Sequence, residues 1–481
     1  MNNTEIERGE ESVSGGADEN INLTSHSRTH LLNPSRINRL PQFVAAFVAT
    51  IGAFAMGTVM AWTAPASGEL QSKFNFNISE ISWIGSFVAL GAAAVVLPVG
   101  YLTDKLGRKL TMLILVPPFL GGWAVILWAE TWEALCAGRF IVGMAGGAFT
   151  VTVPIYIGEI ADNEIRATLG SFFQLMVVVG VLFVYIVGRE CNLFWMSAIC
   201  GLVPIVFGAA FVFMPETPAY YLGKGKEDAA RKSLLWLRGT ACDLEQDIAQ
   251  MKQVEENSSR PRPPDSRSAT KMSLFIALGL MTFQQLSGIN AIIFYTTDIF
   301  HAAGSTIEPS ICTIVVGIMQ VGATLCSSLV INRLGCRVLL LTSGFVMATC
   351  TYTLGVFFHL QGRFGVDYVR NFDWLPLASL CLYIIVFSIG FGPVPWMMMG
   401  VLFPPHIKGL ASSITCLVNW MLVFVITKFF ANLLVFAGTA STFWLFSLIT
   451  AIGTVFVFFV VPETNGKSLE EIQMELSGSE S

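Results

Sequence analysis

Twelve apolar runs divide this 481-residue chain, and they leave it few ways to fold. They fall at roughly 42–64, 81–103, 110–130, 134–157, 168–189 and 193–214, then at roughly 273–300, 309–331, 338–360, 376–403, 410–436 and 440–461. Each run is long enough for a helix to cross a bilayer, which takes about 20 residues. Inside hydrocarbon no water satisfies backbone N–H and C=O groups, so such runs must close their own hydrogen bonds as helices. The expectation is an all-α membrane protein with twelve transmembrane helices. A composition of 54% hydrophobic and 13% charged residues excludes an ordinary soluble globule.

The order is six runs, a polar stretch, then six more. This predicts a disordered N-terminus over 1–40, a first bundle over 41–214, a linker over 215–272, a second bundle over 273–461 and a tail over 462–481. The linker alternates charge with Leu234, Leu235 and Leu237, and 242–254 has a similar pattern, so two short amphipathic helices are expected there. Lys and Arg set the orientation. With the N-terminus in the cytoplasm, 22 of the 28 basic residues fall on cytoplasmic segments. Lys73, Arg189, Arg363 and Arg370 fall outside, and Arg139 and Lys428 lie within runs. Both termini and the linker are then cytoplasmic. Asn77-Ile78-Ser79 is external and is a glycan acceptor by pattern. The first 40 residues contain no apolar core of a cleavable signal peptide.

Several function classes drop out. Ten cysteines show no metal-ligand spacing, and five histidines form no HExxH pair. No nucleophile elbow or phosphate loop is present, so no catalytic residue, metal or cofactor is expected. The basic residues sit in short loops rather than on one face, which argues against nucleic acid. The expected partners are a small neutral solute and the lipid bilayer, with the chain itself monomeric.

The seventh run holds the most informative polar groups. Gln284, Gln285 and Asn290 lie within an apolar context, where an unpaired amide costs several kcal/mol. On a continuous helix, turning about 100° per residue, the three point in different directions. They can meet one ligand only if the helix loosens near Gly288. A broken helix with amides around a midplane cavity is a way to hold a polyhydroxylated solute. Amides both donate and accept, as sugar hydroxyls do.

Two signatures recur after six runs. Gly100–Lys109 closes the second run and Asn332–Arg337 the eighth. Pro215-Glu216-Thr217 follows the sixth and Pro462-Glu463-Thr464 the twelfth. Two repeats in register imply two pseudo-symmetric six-helix bundles. Together with Gly138-Arg139-Phe140, Pro154–Ile160 with Arg166, Gln284–Asn290 and Gly392–Trp396, they make the chain resemble the sugar porter family of the major facilitator superfamily. The run Ser388–Trp396 and Thr427-Lys428-Phe429-Phe430 look most like insect facilitated trehalose and hexose transporters.

That resemblance implies a major facilitator fold and a sugar site. Gln174, Gln320 and Asn419 would join Gln284, Gln285 and Asn290, with Trp396 covering the sugar ring and Trp420 nearby. Ser388 stands where glucose facilitators carry a glutamate, which leaves room for a disaccharide. Asp104, Arg108, Glu159, Arg166 and Glu216 would form the cytoplasmic gate of the first half. In the second half Lys408 keeps its basic position, while Asn332, Cys336 and Val401 replace family charges.

In proton-coupled relatives the arginine matching Arg139 pairs with an acid on the first span. Here residues 41–68 contain no Asp or Glu, and Val59 falls near that place. The implied function is facilitative uniport of a neutral sugar such as glucose or trehalose across the plasma membrane. The alternatives are a non-transporting sugar sensor and a proton–sugar symporter.

Overall fold

A computed structural model describes residues 39–477, except 163, 240–243, 260–265, 305–306, 404 and 465–468. The expected disorder of 1–38 lies outside the described residues. The first half contains α1 (Leu40–Ala61), α2 (Thr63–Phe74), α3 (Ile78–Leu106), α4 (Arg108–Ile114), α5 (Val116–Trp128), α6 (Trp132–Ile160), α7 (Arg166–Glu190) and α8 (Leu193–Phe211). The linker contains α9 (Pro218–Gly223), α10 (Glu227–Arg238) and α11 (Leu244–Ser259). The second half contains α12 (Ser266–Leu286), α13 (Ile289–Ala303), α14 (Pro309–Leu334), α15 (Cys336–Phe364), the short α16 (Val366–Val369), α17 (Leu375–Ile389), α18 (Pro393–Leu402), α19 (Pro405–Ala437) and α20 (Thr439–Val460). A last helix, α21 (Leu469–Ser477), lies in the tail. Among the described residues twelve helices or joined helix pairs are long and apolar enough to cross a membrane. The architecture is all-α, two six-span bundles.

The described element bounds depart from the expected ones in three places. The first helix opens at Leu40, with Pro41 in its first turn, so Leu40 is not part of a disordered arm. The first span does not stop near residue 64 but runs on through α2 to Phe74, a stretch of 35 residues. Its polar extension is tolerated because α13 covers it: Ser67 is buried and donates to Asp298 at 3.1 Å. The linker holds a third short helix, α9, capped by the Thr217 hydroxyl, and the tail helix α21 packs against α12.

Close packing inside the first bundle follows from small residues. A Cβ on Gly91 would stand 2.1 Å from the Phe140 carbonyl, and one on Gly143 2.3 Å from that of Val88. The α3 and α6 backbones therefore touch directly, as small residues permit where no hydrophobic drive exists between helices in lipid. Each half has its own apolar core, and part of α19, Met399 of α18 and Phe403 just after α18 pack into the core of the first half.

Even numbers of spans place residue 39, the linker and the tail at one end of the molecule, called here the linker end. The opposite, far end carries the α2–α3, α13–α14 and α19–α20 connections. Among the described residues, polar links cross between the bundles in its half: Ser67 to Asp298, Tyr185 to the Ile293 carbonyl at 2.9 Å, Arg189 to Glu308 at 3.4 Å, and Lys428 to Ser82 at 2.8 Å and to the Ser79 carbonyl at 3.4 Å.

Candidate functional site

The seventh span is broken where its amides need it to be. α12 ends at Leu286 and α13 starts at Ile289, with Gly288 at φ 92° between them. A side chain there would meet strain at that φ and a Cβ only 2.7 Å from the Phe446 ring, so glycine is required. Tyr383 of α17 stitches the gap: its hydroxyl donates to the Ser287 carbonyl at 3.1 Å. The tenth span is broken too, between Ile389 and Pro393. Prolines 393 and 395 lack N–H groups, so they suit the start of a helix rather than its middle.

These two breaks face each other through Gln284. Its Nε2 donates to the carbonyls of Phe391 at 2.6 Å and Gly392 at 2.9 Å, which the break leaves without helical partners. Its Oε1 accepts from Gln285 at 3.3 Å and from Asn419 of α19 at 3.2 Å. Gln285 in turn accepts from Asn290 across the break. Four of the expected amides thus form one hydrogen-bonded chain over α12, α13 and α19, and all four are buried. Gln284 is fully occupied and acts as the hub. Asn290 Oδ1 and the buried amide of Gln320 on α14 take no hydrogen bond among the described residues, so they are open to a ligand hydroxyl. Gln174 of α7 and Trp396 of α18 are half-buried, and α7 packs against α14. Trp420 is buried, and its indole N–H lacks a partner among the described residues. A separate cavity of about 730 Å³ opens at the far end, beside His359, Gln361 and Arg363, away from these amides.

Arg139 is fully buried and satisfied without an acid. It donates to the Val59 carbonyl at 2.8 Å, to Thr63 Oγ1 at 3.1 Å and to the Ile84 carbonyl at 3.4 Å. Its guanidinium stacks 5.0 Å from the Trp62 ring centroid. Among the described residues no carboxylate lies within ion-pair distance of it.

At the linker end Arg108 donates to Glu159 at 2.8 Å and lies 3.5 Å from Asp104, its neighbour one turn back. Thr217 donates to the other Glu159 oxygen at 2.6 Å. Glu216 accepts from the backbone N–H groups of Arg108, Lys109 and Thr217 at 2.9–3.0 Å. Arg166 stands apart: it is exposed and donates only to the Ala161 carbonyl at 3.3 Å. The side chains of Lys408 and Asn332 lie outside the described residues. Val401 is exposed, and no ion pair like Arg108–Glu159 involves Cys336 or Val401.

Sequence reasoning missed a second cluster here. Arg238 of α10 bridges Asp162 at 2.7 Å and Asp247 of α11 at 2.6 Å. Gln42 and Asp162 exchange two hydrogen bonds at 3.0 and 2.9 Å. No spacing signals this set, because its members come from α1, a loop and two linker helices. Asn77 is exposed and caps α3, its side chain accepting from the Glu80 N–H at 2.9 Å.

With this fold and site in view, the relatives fall into place. The family described as "Sugar (and other) transporter" matches residues 43–476. The chain belongs to that family, the sugar porters of the major facilitator superfamily, which are carriers and not enzymes. It is 39% identical over 446 residues to the facilitated trehalose transporter Tret1 of Polypedilum vanderplanki, covering 91% of this chain and 88% of that one. It is 37% identical to the Aedes aegypti Tret1, again over 91% of this chain, but it spans only 55% of that longer relative. The partially occluded inward-open xylose transporter XylE of E. coli superposes with a TM-score of 0.76 at 21% identity, over 89% of this chain and 99% of that one, a likeness of fold.

Proposed function

We propose that this chain carries a neutral sugar, glucose or trehalose, down its gradient by alternating access, as a monomer in the plasma membrane with its linker end in the cytoplasm. The amide chain through Gln284 supports the sugar reading most directly. Gln285, Asn290 and Asn419 join Gln284 at the paired breaks in the seventh and tenth spans, where a hydroxyl can replace an amide–amide bond at little net cost, and Gln320 adds a buried amide from α14. Trp396 and Gln174 complete the binding set in this reading.

Arg139 supports uniport over symport. Coupling needs a titrating partner whose charge biases the cycle, and Arg139 spends its donors on Val59, Ile84 and Thr63 instead. Asp298 is an acid within α13, paired with Ser67, and is the reason a proton gradient belongs in the test.

Counterflow of radiolabelled glucose and trehalose in proteoliposomes is the experiment. Uniport requires flux that a pH gradient leaves unchanged. Accumulation driven by the gradient establishes symport, and binding without flux establishes a sensor. Replacing Gln285 and Asn290 together by leucine must abolish flux in correctly inserted protein; full flux in that variant removes the amide site.

A further inference from the structure

Lys428 lies in the far-end half of α19 and is 4% exposed. Its Nζ donates to Ser82 Oγ at 2.8 Å and to the Ser79 carbonyl at 3.4 Å, and sits 4.1 Å from the Trp83 ring centroid. All three partners belong to the first two turns of α3, in the opposite bundle. No carboxylate lies within ion-pair distance among the described residues. The ammonium also faces the N-terminal end of α3, where the helix dipole disfavours a cation. Neutral acceptors and an aromatic face thus hold a desolvated charge at the seam between the two halves. Such a charge costs stability while it is buried and regains water when the seam parts.

The seam is also tied to the binding region. Tyr295, where α13 departs from helical geometry, donates to the carbonyl of Thr427 at 3.0 Å, the residue before Lys428. Asn290 lies five residues earlier on the same helix.

We infer that Lys428 is a far-end gate residue with two opposed effects. Its contacts with Ser82 and Trp83 hold α3 and α19 together, and the desolvation of its charge keeps that closed seam metastable, so that it opens. The inference rests on the alternating-access reading, but its test reads gate opening rather than flux, so a failure of one is distinguishable from a failure of the other.

Gly85 of α3 provides the reporter. A Cβ there would meet Phe294 of α13 at 3.7 Å and Thr63 at 3.4 Å, ordinary contacts inside the seam. A Gly85→Cys chain in oriented proteoliposomes is labelled from the far end with a membrane-impermeant maleimide, read at the residue-85 peptide by mass spectrometry. Lys428→Met keeps the packing and removes the charge, so labelling slows by about tenfold. Ser82→Ala keeps the charge and removes its main acceptor, so labelling quickens severalfold. Lys428→Arg keeps the charge and stays near the parent rate.

A purely structural lysine predicts the same direction for both losses, since each would loosen the seam. Shifts of the same sign, or an unchanged rate in either variant, overturn the inference. Only protein recovered as a monodisperse peak is scored. If Lys428→Met yields none, the Ser82→Ala arm decides, and labelling no faster than the parent overturns it.

Discussion

Glu216 and Glu463 do the same job at equivalent places in the two halves. Glu216 gathers the N–H groups of Arg108, Lys109 and Thr217; Glu463 gathers those of Cys336, Arg337 and Thr464 at 2.9–3.2 Å. Each carboxylate thereby caps the helix that opens the third span of its half, α4 or α15, where free N–H groups and the dipole favour an anion. The preceding residues, Gly107 and Gly335, have φ of 99° and 82°. A Cβ on Gly107 would stand 2.3 Å from Glu216 Oε2, and one on Gly335 2.9 Å from Glu463 Oε2. Gly107→Ala is therefore expected to cost about 1–3 kcal/mol from backbone strain and displacement of the carboxylate. Gly335→Ala should cost less. Thermal midpoints of the two variants in detergent check the order.

Glu216 also carries a pH signature. Burial raises its carboxyl above the ordinary value, outweighing the opposing pull of the three N–H groups and Arg108. An acid whose pKa is higher folded than unfolded binds its proton more tightly in the fold. Its contribution is then fully favourable below the unfolded pKa of 4.5 and is lost as pH rises through the folded value. Glu216→Gln should remove this part, so the stability difference between variant and parent shifts toward the variant as pH climbs from 4.5. Denaturation midpoints across that range measure it; a difference independent of pH would contradict the assignment.

The sequence carried the spans, the repeat and the break at Gly288, because each follows from what hydrocarbon forbids. An unpaired amide is too costly there, so Gln284, Gln285 and Asn290 had to find partners and the helix had to yield. Which partners they found was not readable. The Phe391 and Gly392 carbonyls are freed by a break more than 100 residues away in sequence, and only the packed bundle brings them to Gln284. Arg166 and Arg238 show the same limit for charges. Both are arginines at the linker end, yet Arg238 takes Asp162 while Arg166 turns outward, a choice set by where α10 lands.

On the proposed sugar site, Gln284 is a support and Gln320 a contact, and mutation should separate them. Gln284→Leu leaves two buried carbonyls unpaired, at about 1–3 kcal/mol for each group. It should lower the thermal midpoint even without sugar. Gln320→Leu breaks no side-chain bond among the described residues, so the midpoint should hold while sugar affinity falls. Stability measured with and without a saturating sugar distinguishes the two.

Asn77 should carry a glycan if the far end faces outside. The residue is exposed, and capping α3 occupies its Oδ1 but leaves the Nδ2 free. Ser79→Ala destroys the acceptor pattern and leaves the Asn77–Glu80 cap in place. Expressed in a glycosylating cell, the parent should shift in mobility on glycosidase treatment and Ser79→Ala should not. An unshifted parent argues for the opposite orientation or an unused site.

On the alternating-access proposal, the two halves close the linker end unequally, and this has a kinetic consequence. In the first half Arg108 is tied to Glu159 and Asp104. At the matching places of the second half stand Cys336 and Val401, which cannot pair. A partly buried ion pair of this kind contributes about 1 kcal/mol, so with Cys336 and Val401 at those places the closed linker end is expected to lack contacts that a carrier with charges in both halves makes. The resting population should therefore lean toward the state open at the linker end. Neutralising Arg108 removes contacts from a gate that is already weak, so Arg108→Gln should reduce uptake less here than in a relative with charges in both halves. Uptake of the same sugar by both proteins, normalised to inserted carrier, decides the point. Equal fractional losses would mean that the first half closes the gate by itself.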